Sequence, residues 1–108
     1  MKTIMGIDGL LVLYKERPEL FGFLYTSTKK SYEKQNIRNG TFYLPENDEE
    51  EEELSELCDK YPNKYQDWIE YQTFLDIIEY KLDHHPNATK EDILDALVYY
   101  LENDAFLD

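Results

Sequence analysis

Few residues in this chain have the types and spacing that catalysis or metal binding requires. The only histidines are the neighbours His84 and His85, and the only cysteine is Cys58. Adjacent helical residues face different directions, so the two imidazoles are poorly placed to share a metal ion. We expect them instead to satisfy the last carbonyl groups of a helix. Acidic neighbours raise the pKa of a thiol, so we expect Cys58 to be a small buried hydrophobic side chain and not a nucleophile.

A run of five glutamates is the densest group of oxygen ligands in the sequence. A calcium loop alternates its acidic ligands and has a glycine at the sixth position, which this run lacks. We therefore expect weak calcium affinity and predict no metal site. Two interpretations remain open: a solvated helix face, or an acidic surface that steers a basic partner toward the protein. The residues of this glutamate run are Glu49, Glu50, Glu51, Glu52 and Glu53.

The common phosphate-binding and nucleophile motifs are missing from the sequence. Gly6 and Gly9 do not form a GxGxxG pattern, and no glycine is followed by Lys-Ser or Lys-Thr, as in a P-loop. There is also no GxSxG elbow. No other residue supports a dyad of serine or cysteine with histidine. The sequence therefore predicts no catalytic residues and no cofactor, and we expect the protein not to be an enzyme.

Two C-terminal helices are predicted to position the most organised polar residues. Thr73 with Asp76, and Thr89 with Asp92, have the spacing of capping boxes at the two helix starts. Apolar residues then recur at helical spacing, and Asn103-Asp104 marks the end of the second helix. The predicted core residues are Phe74, Ile77, Ile78 and Leu82 on the first helix, and Ile93, Leu94, Leu97, Val98 and Leu101 on the second.

Opposite the core face, each of these helices carries a stripe of three acids and one tyrosine. Like charges on one helix face cost stability, and no base on the same face relieves them. Tyrosine is enriched at protein interfaces, so these acid–tyrosine stripes are candidate partner-binding surfaces. The alternative is that the two tyrosines cover the edges of the core. The stripes are Asp76, Glu79, Tyr80 and Asp83 on the first helix, and Asp92, Asp95, Tyr99 and Glu102 on the second.

The N-terminal half is predicted to supply a short helix and two strands. Ile4 to Tyr14 has helical spacing, with Asp8 as a possible N-cap and Pro18 ending the segment. Phe21 to Thr26 is rich in aromatic residues and predicts a strand. Asn39-Gly40 is typical of a two-residue hairpin turn. The return strand is then Thr41 to Leu44, with Phe42 and Leu44 directed inward and Pro45 ending it.

An acidic helix and an edge strand complete the predicted fold. Asn47 to Tyr61 predicts a helix with one buried stripe, formed by Leu54, Leu57, Cys58 and Tyr61. Asp67 to Tyr71 predicts a short edge strand in which Trp68 anchors the core. The fold class is therefore α+β, a single domain over residues 1–108. Its small antiparallel sheet packs against three or four helices, and the two C-terminal amphipathic helices form a hairpin.

Charge is distributed unevenly along the chain and restricts the classes of partner. Residues 46–108 have a formal charge of −16 and the first 45 residues +3, which gives −13 overall. Such a surface repels nucleic acid phosphates and anionic lipid and attracts basic proteins. There is no signal-peptide pattern and no apolar run near the ~20 residues that span a bilayer. We expect a cytoplasmic protein that binds neither nucleic acid nor membrane.

The C-terminal part of the sequence resembles a known family. The segments YQTFLDII at residues 71–78, PNAT at 86–89, DILDAL at 92–97 and YYLENDAF at 99–106 carry the resemblance, with ENDAF the least generic piece. They are similar to small acidic bacterial immunity proteins of contact-dependent growth inhibition and related polymorphic toxin systems. The resemblance covers about residues 65–108. It implies a protein inhibitor, without catalytic residues, whose partner is the toxin domain encoded beside it.

The resemblance and the charge suggest the same kind of partner. Many such toxins are nucleases, whose basic clefts hold phosphates. The first hypothesis is therefore a bacterial cytoplasmic immunity protein that occludes the basic cleft of its cognate toxin domain. The alternative is a nucleic-acid mimic that blocks a DNA-binding enzyme, as phage anti-restriction or anti-CRISPR proteins do. The sequence leaves the toxin's reaction and the oligomeric state open.

Overall fold

The chain folds into four strands and five helices over residues 1–107, the part that the computed structural model describes. The fold is α+β, as predicted. The strands are β1 (Lys2–Met5), β2 (Phe23–Thr26), β3 (Thr41–Leu44) and β4 (Gln66–Glu70). The helices are α1 (Gly6–Glu16), α2 (Lys34–Arg38), α3 (Asp48–Lys60), α4 (Tyr71–His84) and α5 (Lys90–Asn103). In the described residues, no helix has both the length and the apolar character needed to cross a bilayer.

The four strands form one antiparallel sheet in the order β1-β3-β2-β4. The predicted pairing of β2 with β3 is confirmed, with Phe42 and Leu44 buried. The predicted two-residue turn at Asn39-Gly40 is wrong, because the connection spans residues 27–40 and contains α2. Asn39 has φ −112°, whereas the expected turn needs positive φ. A Cβ on Gly40 would lie 2.6 Å from the Asn36 carbonyl oxygen, so close packing explains this glycine.

The N-terminal strand β1 was not predicted from the sequence. It pairs with β3 through four residues, and Ile4 lies opposite Phe42. Gly6, at φ +64°, then turns the chain directly into α1. Asp8 therefore lies in the first turn of α1 and is not the N-cap, which is Met5. Ile4 fits the helical spacing of α1 by coincidence, and four residues are too few to reveal strand alternation.

The main core lies between one face of the sheet and helices α1, α4 and α5, with Ile37 of α2 added at one end. Strand β4 contains a β-bulge at Trp68: Leu24 of β2 pairs with Ile69 and Tyr25 pairs with Asp67, so Trp68 is an extra residue. The bulge places Trp68 and Ile69 on the same face of the sheet. The Trp68 ring lies 4.3 Å from Phe42, and its indole nitrogen donates a hydrogen bond to the Ser31 carbonyl at 3.0 Å. The prediction that Trp68 anchors the core from an edge strand is confirmed.

Helix α3 packs against part of the opposite face of the sheet, around Tyr25. Leu54 is buried there with Tyr25, outside the main core cluster. The predicted four-residue stripe of α3 is only partly correct: Leu57 and Cys58 are half-buried, and Tyr61 is 51% exposed. Tyr61 is the C-cap, one residue beyond the helix. The helix N-terminus is capped as expected, because the Asn47 side chain accepts a hydrogen bond from the Glu50 amide.

The two C-terminal helices begin differently. At α5 the predicted capping box of Thr89 and Asp92 is present in both directions. At α4 the predicted Thr73 cap is wrong, because β4 continues into the helix at Tyr71 and no side chain caps it. The start of α4 is held instead by Tyr71, whose amide donates to the Gly22 carbonyl and whose hydroxyl donates to the Pro18 carbonyl. Tertiary contacts therefore replace a local cap.

Candidate protein-binding surface

The α4–α5 hairpin carries the two predicted acid–tyrosine stripes. Their exposed members are Asp76, Asp83, Asp95, Tyr99 and Glu102, and their half-buried members are Glu79, Tyr80 and Asp92. Asp92 accepts a hydrogen bond from the Thr89 amide at 2.9 Å, and this bond lowers the pKa of the Asp92 carboxyl. Asp92 therefore stabilises the start of α5, and its carboxylate is only partly available to a partner.

The α4 stripe is partly engaged by other elements of the same chain. Glu79 forms an ion pair of 3.0 Å with Arg17, the C-cap of α1. The Tyr80 ring lies 4.3 Å from His84 and 5.2 Å from Phe106. Tyr80 thus covers an edge of the helix hairpin, which agrees with the alternative interpretation of that tyrosine.

One member of the α5 stripe, Asp95, contacts α2, whose bases Lys34 and Arg38 lie one helical turn apart. Lys34 contacts both Asp95 and Glu91 at 2.8 Å, and Arg38 also pairs with Glu91. The Arg38 hydrogen bond, then that of Lys34, lowers the pKa of Glu91 to about 2. The sequence analysis considered each helix alone, whereas in the fold Arg17 of α1 pairs with Glu79 and Lys34 of α2 pairs with Asp95. Glu91 was not predicted as a contact residue. Lys34 and Arg38 are four residues apart in the sequence, as are Glu91 and Asp95, and this matching spacing is a signal that could have indicated the contact.

The glutamate run occupies the first half of α3. Glu50 is the tethered member: it pairs with the amino group of Met1 at 2.5 Å and accepts the Glu46 amide at 2.9 Å. These contacts lower the pKa of Glu50. The other acidic side chains of α3 form no ion pair with any described residue. They are Asp48, Glu49, Glu51, Glu52, Glu53, Glu56 and Asp59, which we call the unpaired acids of α3.

Aromatic side chains lie next to the unpaired acids of α3. Phe21 is 88% exposed and lines a cleft of about 260 Å³ together with Asp48 and Glu51. Tyr25 lines a neighbouring cleft of about 400 Å³ with Glu51 and Glu52. Burial, and then the charge of Glu51, raise the pKa of Tyr25, so its hydroxyl stays protonated. This face therefore combines negative charge with one large exposed apolar ring. Phe21 was predicted to lie in a strand, but β2 begins at Phe23 and Phe21 is exposed before it.

The cysteine and the histidines have structural surroundings. Burial, followed by the charges of Asp67 and Asp59, raises the pKa of the half-buried Cys58 thiol. His84 Nδ1 donates to the Tyr80 carbonyl oxygen at 2.9 Å, and His85 is the C-cap of α4. The prediction that the imidazoles satisfy the last helix carbonyls is confirmed for His84, whereas His85 donates its backbone amide to the Lys81 carbonyl. Among residues 1–107, no group of three or more acidic, histidine or cysteine side chains is arranged to hold a metal ion.

Comparisons with known proteins identify a protein family for this chain, and the family model describes no activity. No curated protein and no solved structure matches the chain. The resemblance to immunity proteins therefore stays a prediction. A family model described as a domain of unknown function, DUF7716, matches residues 12–108. The match leaves out β1 and the first half of α1 and includes all the later elements. The chain belongs to the DUF7716 family.

Proposed function

We propose that this protein is an immunity protein of the bacterial cytoplasm that binds and neutralises a cognate toxin domain. The toxin is expected to be a nuclease with a basic cleft, which the acidic surface of this protein occludes. The net charge of −13 and the resemblance of residues 65–108 to immunity proteins support the proposal. The inhibitor acts by binding alone, without catalytic residues or a cofactor.

The unpaired acids of α3 are the observation that carries this proposal. A basic cleft would have to displace Arg17 and Lys34 before it could pair with Glu79 or Asp95. The unpaired acids of α3 have no such competitor among the described residues. We therefore assign the first contact to α3, and we assign the exposed residues of the stripes, such as Tyr99 and Glu102, to a supporting role.

Phe21 gives this surface an apolar anchor. Interface energy is concentrated in a few aromatic and arginine side chains that become fully desolvated. Phe21 is the most exposed of the large hydrophobic residues and lies beside Asp48 and Glu51. A toxin arginine could pair with those carboxylates while its neighbouring apolar surface covers the ring. Phe21→Ser should therefore speed dissociation, whereas loss of acids should mainly slow association.

The test is kinetic and uses the toxin domain encoded by the adjacent gene as the probe. Removing three unpaired charges, with Glu52→Gln, Glu53→Gln and Glu56→Gln together, should slow association about tenfold at low salt, because steering depends on long-range charge. The matched control removes three charges that already have internal partners, through Glu79→Gln, Glu91→Gln and Asp95→Asn. Its association rate should fall less.

Two outcomes would contradict the proposal. Failure of the wild-type protein to bind and inhibit the adjacent toxin domain would remove the function itself. Equal slowing of association by the α3 variant and by the control would leave the function but remove the special role of α3. Growth protection in cells expressing the toxin should follow the same order as the measured affinities.

A further inference from the structure

The outer edge of β1 has free backbone groups. Gly6 donates its amide to the Gly40 carbonyl at 2.7 Å, in register with the β1–β3 pairing. Hydrogen-bonded pairs alternate with non-bonded pairs in an antiparallel ladder. Lys2 and Ile4 therefore bond to β3. The N–H and C=O of Thr3 and the N–H of Met5 point away from the sheet, whereas the C=O of Met5, the N-cap of α1, accepts the first hydrogen bond of that helix.

The two edges of the sheet differ in their protection against added strands. The β4 edge has a bulge at Trp68 and two exposed acids, Asp67 and Glu70. Bulges and charges are features that discourage edge pairing. The β1 edge pairs without a register shift, and its only charged side chain is that of Lys2. The β1 edge is therefore the one suited to receive another strand.

Apolar side chains flank the β1 edge on both faces of the sheet. Met5 is 62% exposed and lies on the face opposite Ile4. Val12 of α1 is 52% exposed and lines a groove of about 300 Å³ between α1 and β1, on the Ile4 side. Side chains of a strand alternate between the two faces. One strand added at this edge would cover both Met5 and Val12.

The surroundings of the edge indicate the charge of the occupant. The Met1 amino group contacts Glu46 at 2.8 Å and Glu50 at 2.5 Å, so the Lys2 end of β1 lies beside the acidic start of α3. A strand added antiparallel to β1 continues past Lys2 at its C-terminal end. Basic residues there would approach the two acids that hold the Met1 amino group, Glu46 and Glu50. A second copy fits poorly, because four-residue strands bury less than the ~1,000 Å² of a stable interface and each copy carries −13.

We propose that the open edge of β1 receives an extended strand of the basic partner. That strand has alternating apolar side chains over about four residues, followed by Lys or Arg on its C-terminal side. This inference rests on the proposed function for the identity of the partner. It adds a second attachment, in which backbone hydrogen bonds slow dissociation after the acids of α3 have accelerated association.

A synthetic peptide tests the edge without the toxin. The probe is acetyl-Thr-Val-Thr-Val-Lys-Arg-Lys-amide, and the control has the same residues with the three bases placed first. We expect the probe to bind at least fivefold more tightly in fluorescence anisotropy, and to shift the amide resonances of Thr3 and Met5. Methylation of the peptide nitrogen that faces the Thr3 carbonyl should abolish binding, whereas methylation of the nitrogens that face away from β1 should not. Equal affinity of all these peptides would overturn the proposal.

Protein variants give the second arm. Thr3→Pro removes an outward N–H and leaves the β1–β3 ladder intact, whereas Thr3→Val keeps the N–H. With both variants folded by circular dichroism, Thr3→Pro should lose peptide binding at least tenfold and Thr3→Val should keep it. If Thr3→Pro does not fold, the methylated peptides decide the question with the wild-type protein.

Failures of the two proposals give different results. If the toxin is inhibited but its dissociation rate is the same for wild type, Thr3→Pro and the lysine variant Met5→Lys, the edge is not used and the proposed function stands. If the peptide binds in the predicted orientation but the adjacent toxin does not bind, the edge is a strand-binding site and the proposed function is wrong.

Discussion

Individual charged residues connect the two halves of this sequence. Arg17 pairs with Glu79, Lys34 with Asp95, and Arg38 with Glu91. In each pair the base comes from the weakly basic first 45 residues and the acid from the strongly acidic remainder. The asymmetry of charge along the chain is therefore partly cancelled inside the fold. What remains uncancelled is concentrated on α3.

Glu91 gives a prediction about pH. Its folded pKa is lowered to about 2 from an ordinary value of 4.5, so its ion pairs stabilise the fold above pH 4.5 and lose that effect as pH falls toward 2. Glu91→Gln should lower the melting temperature slightly at pH 7, since these side chains are partly exposed and screened. The difference from wild type should shrink between pH 4.5 and 2 in thermal unfolding scans.

Glu102 is a control on the same helix. It is exposed and forms no ion pair with a described residue. Glu102→Gln should leave the melting temperature close to that of wild type across the same pH range. A pH-independent loss in Glu91→Gln would show that packing of Glu91, and not its charge, holds α2 against α5.

Gly40 gives a prediction about packing. A Cβ at this position would lie 2.6 Å from the Asn36 carbonyl oxygen and 2.8 Å from Thr28 Oγ1. Because one of these atoms is backbone, Gly40→Ala should destabilise the protein by about 1–3 kcal/mol in urea unfolding. Gly9→Ala is the control, since its nearest contact is the Ile4 side chain at 3.0 Å and alanine favours the helix. Equal effects of the two would refute the packing explanation.

At the scale of elements, the sequence predicted segments whose local rules agree with their tertiary role. The predictions of the α5 cap, the α3 cap and the inward residues of β3 were all correct, because each feature depends on neighbours within a few residues. β1 and the start of α4 were missed. β1 is held by a strand about 40 residues away, and the first turn of α4 is held by Gly22 and Pro18. Such distant partners leave no periodic pattern.

The cap of α5 gives a prediction at this scale. Thr89 accepts the Asp92 amide, and Asp92 accepts the Thr89 amide. Thr89→Ala should cost about 1 kcal/mol of unfolding free energy, and Thr89→Ser should restore most of it, because serine provides the same acceptor. Chemical denaturation of the three proteins measures both changes. If Thr89→Ser is as unstable as Thr89→Ala, the threonine methyl group and not the cap is responsible.

For the whole molecule, the sequence predicted total charge but not which charges are free. The stripes are regular in sequence and were predicted to be partner-binding surfaces. The fold instead brings Arg17 to α4 and Lys34 to α5, and among the described residues only the Met1 amino group forms an ion pair with α3. Only the three-dimensional arrangement identifies this difference, because the pairing residues are more than 50 positions apart. Open edges and the exposure of Met5 and Val12 are likewise properties of the folded chain.

Self-repulsion by the uncancelled charge should make stability depend on salt. Glu52, Glu53 and Glu56 are exposed and lie within one helical turn, where like charges repel. Replacing all three with glutamine should raise the melting temperature at 10 mM NaCl and flatten its rise toward 500 mM, because salt screens the same repulsion. The triple control at Glu79, Glu91 and Asp95 should gain no stability at low salt, since it loses the four ion pairs that these acids form with Arg17, Lys34 and Arg38. A wild-type melting temperature that falls as salt increases would mean that the internal ion pairs, and not the free acids of α3, dominate the electrostatics of this protein.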